Sequence, residues 1–313
     1  MPKVSVLIPT YNSAAFLDDA IQSVLNQSFT DFELIIVDNC STDNSKEVIS
    51  KYTSDSRVRF YVNEKNIGSN GNFNRCFSLA SGDYIKCLCS DDIFHLSLLE
   101  KFVAIMEAHP SVSLVSSFFE EFGSVTKTIR PGFSGSMEGK KMINEVLCTK
   151  NFLGNPSQVM FKREGFKVGF FKEMSVWNVD LEFFFRILSL GDGYIIPEVL
   201  SYTRIHDAAA SHSMIKSFSN YFGNYDLVKA LEKNESQLDF SGLDINRFVK
   251  RKAKECTIVL ARTMKGLQKS ENRKAFKKAF MIAYKEGVLF SSFPVLGKRL
   301  FEKALLLITG ITG

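Results

Sequence analysis

Two adjacent aspartates, Asp91 and Asp92, follow the apolar run "YIKCLC" and Ser90. A lone aspartate at a strand end is explained by capping the next helix. Two in succession repel one another, and a hard divalent cation offsets that repulsion. Mg²⁺ or Mn²⁺ bound by one or two carboxylates plus substrate phosphates is the chemistry such a pair suits. Asp38 closes a second apolar run, "ELIIVD". Its neighbours Ser41, Thr42 and Asp43 suffice to start a helix, which leaves Asp38 available to a nucleobase edge or a ribose hydroxyl. Asp180 precedes the helical stripe Leu181, Phe184, Phe185 and Leu188. It reads either as a helix cap or as a carboxylate placed to act as general base. His206, in "RIHDAAASHS", is flanked by small and polar residues after a strand-like run and is a candidate ligand. His95 and His109 read as ordinary helix or turn residues, and His212 stays open.

The elements that must carry these residues are legible in the hydrophobic pattern. "VSVLIP" (4–9) and "ELIIVD" (33–38) are short continuous apolar runs, as expected of strands covered on both faces. "RVRFYVN" (57–63) alternates, and "DYIKCLC" (83–89) is a fourth strand. Helices are expected between them: one from about Ser13 with Phe16, Leu17, Ala20, Ile21, Val24 and Leu25 on one stripe, one through Val48 and Ile49, and one after the glycine-containing loop at 66–71. This order predicts a mostly parallel sheet with helices on both faces. Ligands then bind beyond the carboxyl ends of the strands, at Pro9–Asn12, Asp38–Thr42 and Ser90–Asp92. Further on, "SLVSSFF" and "SQVMF" are expected strands, "VDLEFFFRILSLG" a helix, and "GYIIPEVLSYTRIH" a strand pair. Helices are expected at about 215–233, 244–268 and 271–286, followed by a mixed apolar end.

Composition narrows the classes. With 313 residues, 45% hydrophobic and 23% charged, the chain is globular and can hold a large α/β domain with an appendage. "NIGSNGNFN" is neither a dinucleotide fingerprint nor a P-loop. Six cysteines without a C-x-x-C and only four histidines argue against structural zinc. No apolar run approaches the ~20 residues of a membrane span, and the start of the chain reads as a strand, not a signal peptide, so a cytoplasmic location is expected. The charge is asymmetric: residues 216–313 hold 19 Lys+Arg against 9 Asp+Glu, whereas the whole chain is only +5. The basic region reads either as helices docked on the body with a solvated face, or as peripheral contact with an anionic membrane surface. No recognised motif accompanies the charge, so nucleic acid is not an expected partner.

Taken together, the motifs resemble the family-2 glycosyltransferases, over residues 4 to about 212. "VSVLIPTYN" is similar to that family's opening strand and loop, "IIVDNCSTD" to V-D-D-G-S-T-D, and "NIGSNGNFNRCFSLASGDYI" to N-x-G-x-x-x-x-x-N…A-x-G-x-Y-I. "CLCSDD" lies where L-D-x-D-D is usual, "VDLEFFFRI" matches E-D-x-x-x-x-x-R, and "YTRIHDAAAS" matches R-x-H-x-x-x-x-S. Asn39, Cys89 and Val179 stand where that family usually has acidic residues.

The resemblance implies an α/β fold of the GT-A (Rossmann-like) type, a mostly parallel sheet flanked by helices. It would occupy residues 1–212, with a nucleotide half at 1–92 and an acceptor half at 93–212, and a basic helical C-terminal region at 213–313. It implies an inverting transfer of sugar from a UDP- or dTDP-linked donor to a hydroxyl of a glycan or lipid-linked acceptor. Pro9, Tyr11 and Asp38 would hold base and ribose. Thr10, Asn12, Asn66, Gly68, Asn74, Ser90 and Asp91 would complete the nucleotide site. Asp91, Asp92 and His206 would hold the Mn²⁺ or Mg²⁺, and Asp180 would deprotonate the acceptor. A catalytically impaired sugar-nucleotide-binding protein and a nucleotidyltransferase on a similar sheet are the alternatives.

Overall fold

The computed structural model describes residues 1–149, 151–172, 178–207, 218–233, 244–263 and 269–288. These fall into two compact units, one within 1–174 and 179–206, the other within 175–178 and 207–313.

The first unit is built on one sheet in the order β3-β2-β1-β4-β9-β6-β10-β5. The strands β1 (Val4–Thr10), β2 (Phe32–Asp38), β3 (Val58–Val62) and β4 (Tyr84–Cys87) run parallel. β1 is central, so neighbouring residues bury opposite faces: Val4, Val6 and Ile8 share a cluster with α1 (Ala14–Leu25) and α4 (Leu98–Ala108), while Leu7 is buried outside it. On the other side α3 (Gly68–Leu79) brings Phe77 against Phe183 of α6 (Val179–Leu188), with ring centroids 5.6 Å apart. Phe161 of β9 (Met160–Lys162) meets Phe183 at 5.2 Å. These offset and edge contacts give the layer a fixed geometry, and α6 inherits it. α2 (Ser45–Ser50), α5 (Gly139–Cys148) and a 3-10 helix (Arg163–Val168) complete the helices of this unit among the described residues.

The second half of the sheet departs from the sequence pattern in two places. "GYIIPEVLSYTRIH" is one long strand, β10 (Asp192–Ile205), running parallel to β6 (Val112–Gly123) rather than a strand pair. Its register slips between Ile196 and Val199, where Pro197 has no N–H to give the ladder. A two-residue strand, β5 (Ile93–Phe94), pairs antiparallel with Ser201 and Tyr202 and is too short to leave a pattern. The short strands β7 (Lys127–Ile129) and β8 (Gly135–Met137) edge β6 and β10. Because β10 ends beside β5, it delivers Arg204 and His206 next to the residues that follow β4.

In the second unit the described helices are α7 (Ser219–Glu232), α8 (Ile245–Thr263) and α9 (Ser270–Lys285). α8 packs on both others, burying Phe248, Val249, Val259 and Leu260 with Leu227, Val228, Phe276 and Phe280. None of the described helices is long and apolar enough to cross a membrane. His212, the expected boundary near it and the apolar end after Val288 lie outside the described residues.

Candidate active site

The loops after β1, β2 and β4 meet at the carboxyl edge of the sheet. Ser13 Oγ and Ser90 Oγ are 2.7 Å apart, joining the first loop to the third. The Asn12 amide donates to Ser41 Oγ (2.9 Å), and Thr42 N donates back to Asn12 Oδ1 (2.8 Å), joining the first to the second. Asn12 and Cys40 both adopt left-handed backbone (φ 51° and 62°), so two tight loops here hold strained non-glycine residues. Pro9 ends the strand half-buried, and Tyr11 stands 46% exposed on the rim.

Thr10 and Asp38 are register partners across β1 and β2. Asp38 Oδ2 accepts from Ser41 N (3.0 Å), but Asp38 Oδ1 and Thr10 Oγ1 are buried without a hydrogen-bond partner among the described residues. Buried polar atoms left unmatched cost free energy, and such a pair marks a site that a ligand or ordered water completes.

Beside them lies an amide network that sequence reading did not anticipate. Asn39 Nδ2 donates to Asn66 Oδ1 (2.9 Å) and to Gly68 O (3.3 Å). Asn39 Oδ1 accepts from Asn63 Nδ2 (2.8 Å) and from Ile67 N (3.0 Å). Asn63 also donates to Asn72 (2.9 Å), whose own Nδ2 bonds the Val37 carbonyl (3.0 Å). Asn66 and Gly68, expected at the nucleotide, therefore shape the loop through Asn39. Asn74 faces elsewhere: its amide accepts from Phe171 N and donates to Phe171 O, both at 2.9 Å. Asn74, a residue expected at the nucleotide, thereby braces the chain leading towards α6.

Asp91 and Asp92 have different partners. Asp91 Oδ2 lies 3.0 Å from His206 Nε2, and both side chains retain some exposure. Asp92 is buried, with Oδ1 accepting from Arg204 N (2.9 Å) and Oδ2 from Asn155 Nδ2 (3.3 Å). Burial, with Asp91 adjacent, pushes its carboxyl up to about 7. Asp91 thus meets His206 and keeps some exposure, whereas the Asp92 carboxylate, expected beside it on one cation, is engaged by Arg204 N and Asn155. Cys89 gives its N–H to Ser157 Oγ (2.9 Å), and burial pushes its thiol up, so it remains a neutral thiol.

Arg204 is the residue the sequence reading passed over, although it is the arginine of "RIH". Its guanidinium lies over Phe16 (5.0 Å) and Phe122 (4.6 Å), with Nε donating to the Asp91 carbonyl (3.0 Å) and an Nη to Asp19 (2.8 Å). Phe16 also packs on the His206 ring at 4.4 Å. One arginine therefore fixes the main chain of Asp91 while its aromatic partner fixes the imidazole. Of the two donors that converge here from two strand ends, the Asp91 carboxylate suits Mn²⁺ or Mg²⁺, whereas the His206 imidazole suits a softer ion than Mg²⁺. No group of three or more His, Cys, Asp or Glu able to hold a metal occurs among the described residues. A cation here would take its other ligands from phosphate oxygens and water, as is usual for these ions.

Asp180, in the first turn of α6, shares no hydrogen bond with that cluster among the described residues. Its Oδ1 accepts from Leu181 N (2.8 Å), and burial raises its carboxyl to about 6. Two residues on, Glu182 forms a buried ion pair with Arg186 (2.9 Å), whose guanidinium also holds the carbonyls of Val168, Gly169 (3.1 Å) and Phe170 (2.7 Å). With Asn74 on Phe171, this ties the main chain of residues 168–171 to α6 and α3.

The chain resembles known proteins over most of its length. Residues 5–170 match the family model described as "Glycosyl transferase family 2". The "Uncharacterized glycosyltransferase MJ1057" of Methanocaldococcus jannaschii is 32% identical over 241 residues, covering 75% of this chain and 81% of that protein. The "GalNAc(5)-diNAcBac-PP-undecaprenol beta-1,3-glucosyltransferase" of Campylobacter jejuni is 39% identical over 94 residues, 29% of this chain and 30% of that one. Among solved structures, S. aureus TarS 1–349 in complex with UDP-GlcNAc superposes with a TM-score of 0.72 at 17% identity, covering 98% of this chain and 89% of that one. That likeness is one of fold, and it is the GT-A glycosyltransferase fold. On the sequence match and the fold together, the chain belongs to glycosyl transferase family 2 and is a glycosyltransferase.

Proposed function

We propose that the enzyme transfers a sugar, with inversion, from a UDP- or dTDP-linked donor to a hydroxyl group of a glycan or lipid-linked acceptor. The observation that carries this reading is the convergence, on one sheet edge, of the unmatched Asp38–Thr10 pair with the Asp91–His206 pair. The first suits the base and ribose end of a nucleotide, and the second suits its diphosphate. Support for the donor class comes from TarS, crystallised with UDP-GlcNAc, and for the acceptor class from the undecaprenol-linked substrate in the Campylobacter enzyme's name.

In this reading Pro9, Tyr11 and Asp38 hold base and ribose, while Asn12, Asn66, Gly68 and Ser90 shape the loops around them. Asp91 and His206 would hold Mn²⁺ or Mg²⁺, with Asp92 as the neighbouring anchor. Such a cation neutralises the negative charge that builds on a departing nucleoside diphosphate. Asp180 is the base. Its Oδ1 is occupied by Leu181 N, so Oδ2 takes the proton of the acceptor hydroxyl. As that proton leaves, the acceptor oxygen bonds to the anomeric carbon and the bond to the donor phosphate breaks. A carboxyl held near 6 is ionised at neutral pH and more basic than an exposed one, which suits this task. A lipid-linked acceptor would bring the reaction to a membrane surface.

The test is a panel of nucleotide-sugars assayed with Mn²⁺ for donor hydrolysis and transfer. The reading expects a UDP- or dTDP-sugar to be consumed with release of nucleoside diphosphate. Consumption of a nucleotide-sugar only when pyrophosphate is added, giving nucleoside triphosphate and sugar 1-phosphate, would identify a nucleotidyltransferase and overturn it.

A further inference from the structure

The α9 helix has one face in the core of its unit and another that is open among the described residues. Phe276, Ala279, Phe280 and Ala283 are buried. The opposite stripe advances by three or four residues through Arg273/Lys274, Lys277, Met281 and Tyr284/Lys285, all exposed. Lys278 is committed locally, 3.6 Å from Asp226 and over the Phe222 ring at 4.6 Å. Arg273, Lys274, Lys277 and Lys285 have no ion-pair partner among the described residues. Nor is the apolar part of the stripe covered there: Met281 is 50% exposed and Tyr284 65%. Large apolar side chains set among unpaired cations are not what a merely solvated helix face requires.

We propose that this face of α9 is a docking surface for an anionic lipid bilayer. Arg273, Lys274, Lys277 and Lys285 would lie over the headgroups, and Met281 and Tyr284 would enter the interface between headgroups and acyl chains. Charge complementarity selects an anionic partner, and the apolar pair selects among anionic partners. A nucleic-acid backbone needs the cations but gives a thioether nothing to bury, whereas a bilayer takes both, with the tyrosine ring at headgroup depth. Long basic side chains on such a face reach outward to phosphates while their stems stay on the helix. α8 repeats the pattern independently, with exposed Arg247, Lys250 and Lys254 leading to Ile258, which is 38% exposed. The inference deepens the proposal of a lipid-linked acceptor, and its test requires no catalysis.

The experiment is co-sedimentation of the full chain with vesicles of phosphatidylcholine alone and of phosphatidylcholine mixed with phosphatidylglycerol. Binding is expected to the mixed vesicles only and to weaken as salt rises. Lys274→Glu/Lys277→Glu should lower vesicle affinity by roughly tenfold or more. Met281→Ser/Tyr284→Ser should lower it several-fold at moderate salt, where the apolar contribution is least masked. Both double variants alter exposed positions, and circular dichroism confirms that each is folded. Equal binding to neutral and anionic vesicles would overturn the proposal, as would vesicle binding unaffected by either variant. Affinity for an RNA duplex that falls in the charge variant, with vesicle binding indifferent to Met281→Ser/Tyr284→Ser, would instead assign the face to a polyanion. Sedimentation showing that the stripe closes a dimer would also overturn it. Nucleoside diphosphate binding, measured without vesicles, is expected to be the same in all three proteins. Vesicle binding without any sugar transfer would leave this inference standing and the functional reading refuted.

Discussion

Replacing Asn39 with aspartate exchanges one NH₂ for one oxygen, and the resemblance alone suggests the change should be welcome, since an acidic residue is usual there. The structure predicts the opposite. Asn39 is only 3% exposed, and its Nδ2 faces two acceptors, Asn66 Oδ1 and Gly68 O. Asn66 Oδ1 also accepts from Gly68 N (2.8 Å), so turning the Asn66 amide to receive a carboxylate would sacrifice that bond. The ionised variant therefore loses two donated bonds and buries a charge opposite two oxygens. Only the bonds from Asn63 and Ile67 to the other oxygen remain to offset this. The expected loss is about 2–4 kcal/mol at neutral pH. The carboxyl of Asn39→Asp has a folded-state pKa above its unfolded value, so the loss is small below about pH 4 and grows as pH rises through the folded value. When protonated, the new group can donate to Asn66 again. Urea denaturation of both proteins at about pH 5 and pH 8 measures this, with the variant's midpoint falling further behind at the higher pH. Equal stability at pH 8, or a deficit that shrinks as pH rises, would refute the amide-network argument.

Cys40→Gly should stabilise the protein by about 0.5 kcal/mol, since relief of the left-handed backbone outweighs glycine's unfolded-state entropy; denaturation midpoints check it, and a clear loss would mean that the thiol packs usefully. Arg204→Lys should weaken donor binding about tenfold with the fold retained. Lysine cannot stack on Phe16 and Phe122 while also bonding the Asp91 carbonyl; calorimetry with a nucleoside diphosphate and Mn²⁺ reads it, and unchanged affinity would contradict the bracing role. Asp180→Asn should make the fold more stable at about pH 8 by on the order of 1–3 kcal/mol. The raised carboxyl is a cost that appears as pH climbs through about 6 and vanishes below about pH 4; thermal melts at both ends of that range test the sign.

The first four strands and the loops that end them were legible because buried parallel strands are short apolar runs and the loops between them are polar. Residue type cannot reveal which way a side chain faces once the run has ended. Asp91 and Asp92 look alike in the sequence, yet Arg204 and Asn155, more than sixty positions away, turn Asp92 inward. Asn74 matched a motif position, but the Phe171 main chain claims its amide, and that contact spans 97 residues. "GYIIPEVLSYTRIH", read as a strand pair, is one strand because β10 absorbs Pro197 as a register slip beside its long parallel partner. The arginine of "RIH" carried a usable signal, because an arginine placed two residues before a candidate ligand is well suited to anchor it.

The central claim is that Asp180 removes the acceptor's proton while a separate edge of the sheet holds the nucleotide. It is tested most directly by comparing the parent with Asp180→Asn, using the donor and acceptor on which the parent is active. Transfer rate and nucleoside diphosphate affinity are measured on the same preparations. The account predicts that transfer falls by at least about a hundredfold, that nucleotide affinity is unchanged, and that the parent's rate rises with pH through about 6. Robust transfer by Asp180→Asn would contradict it.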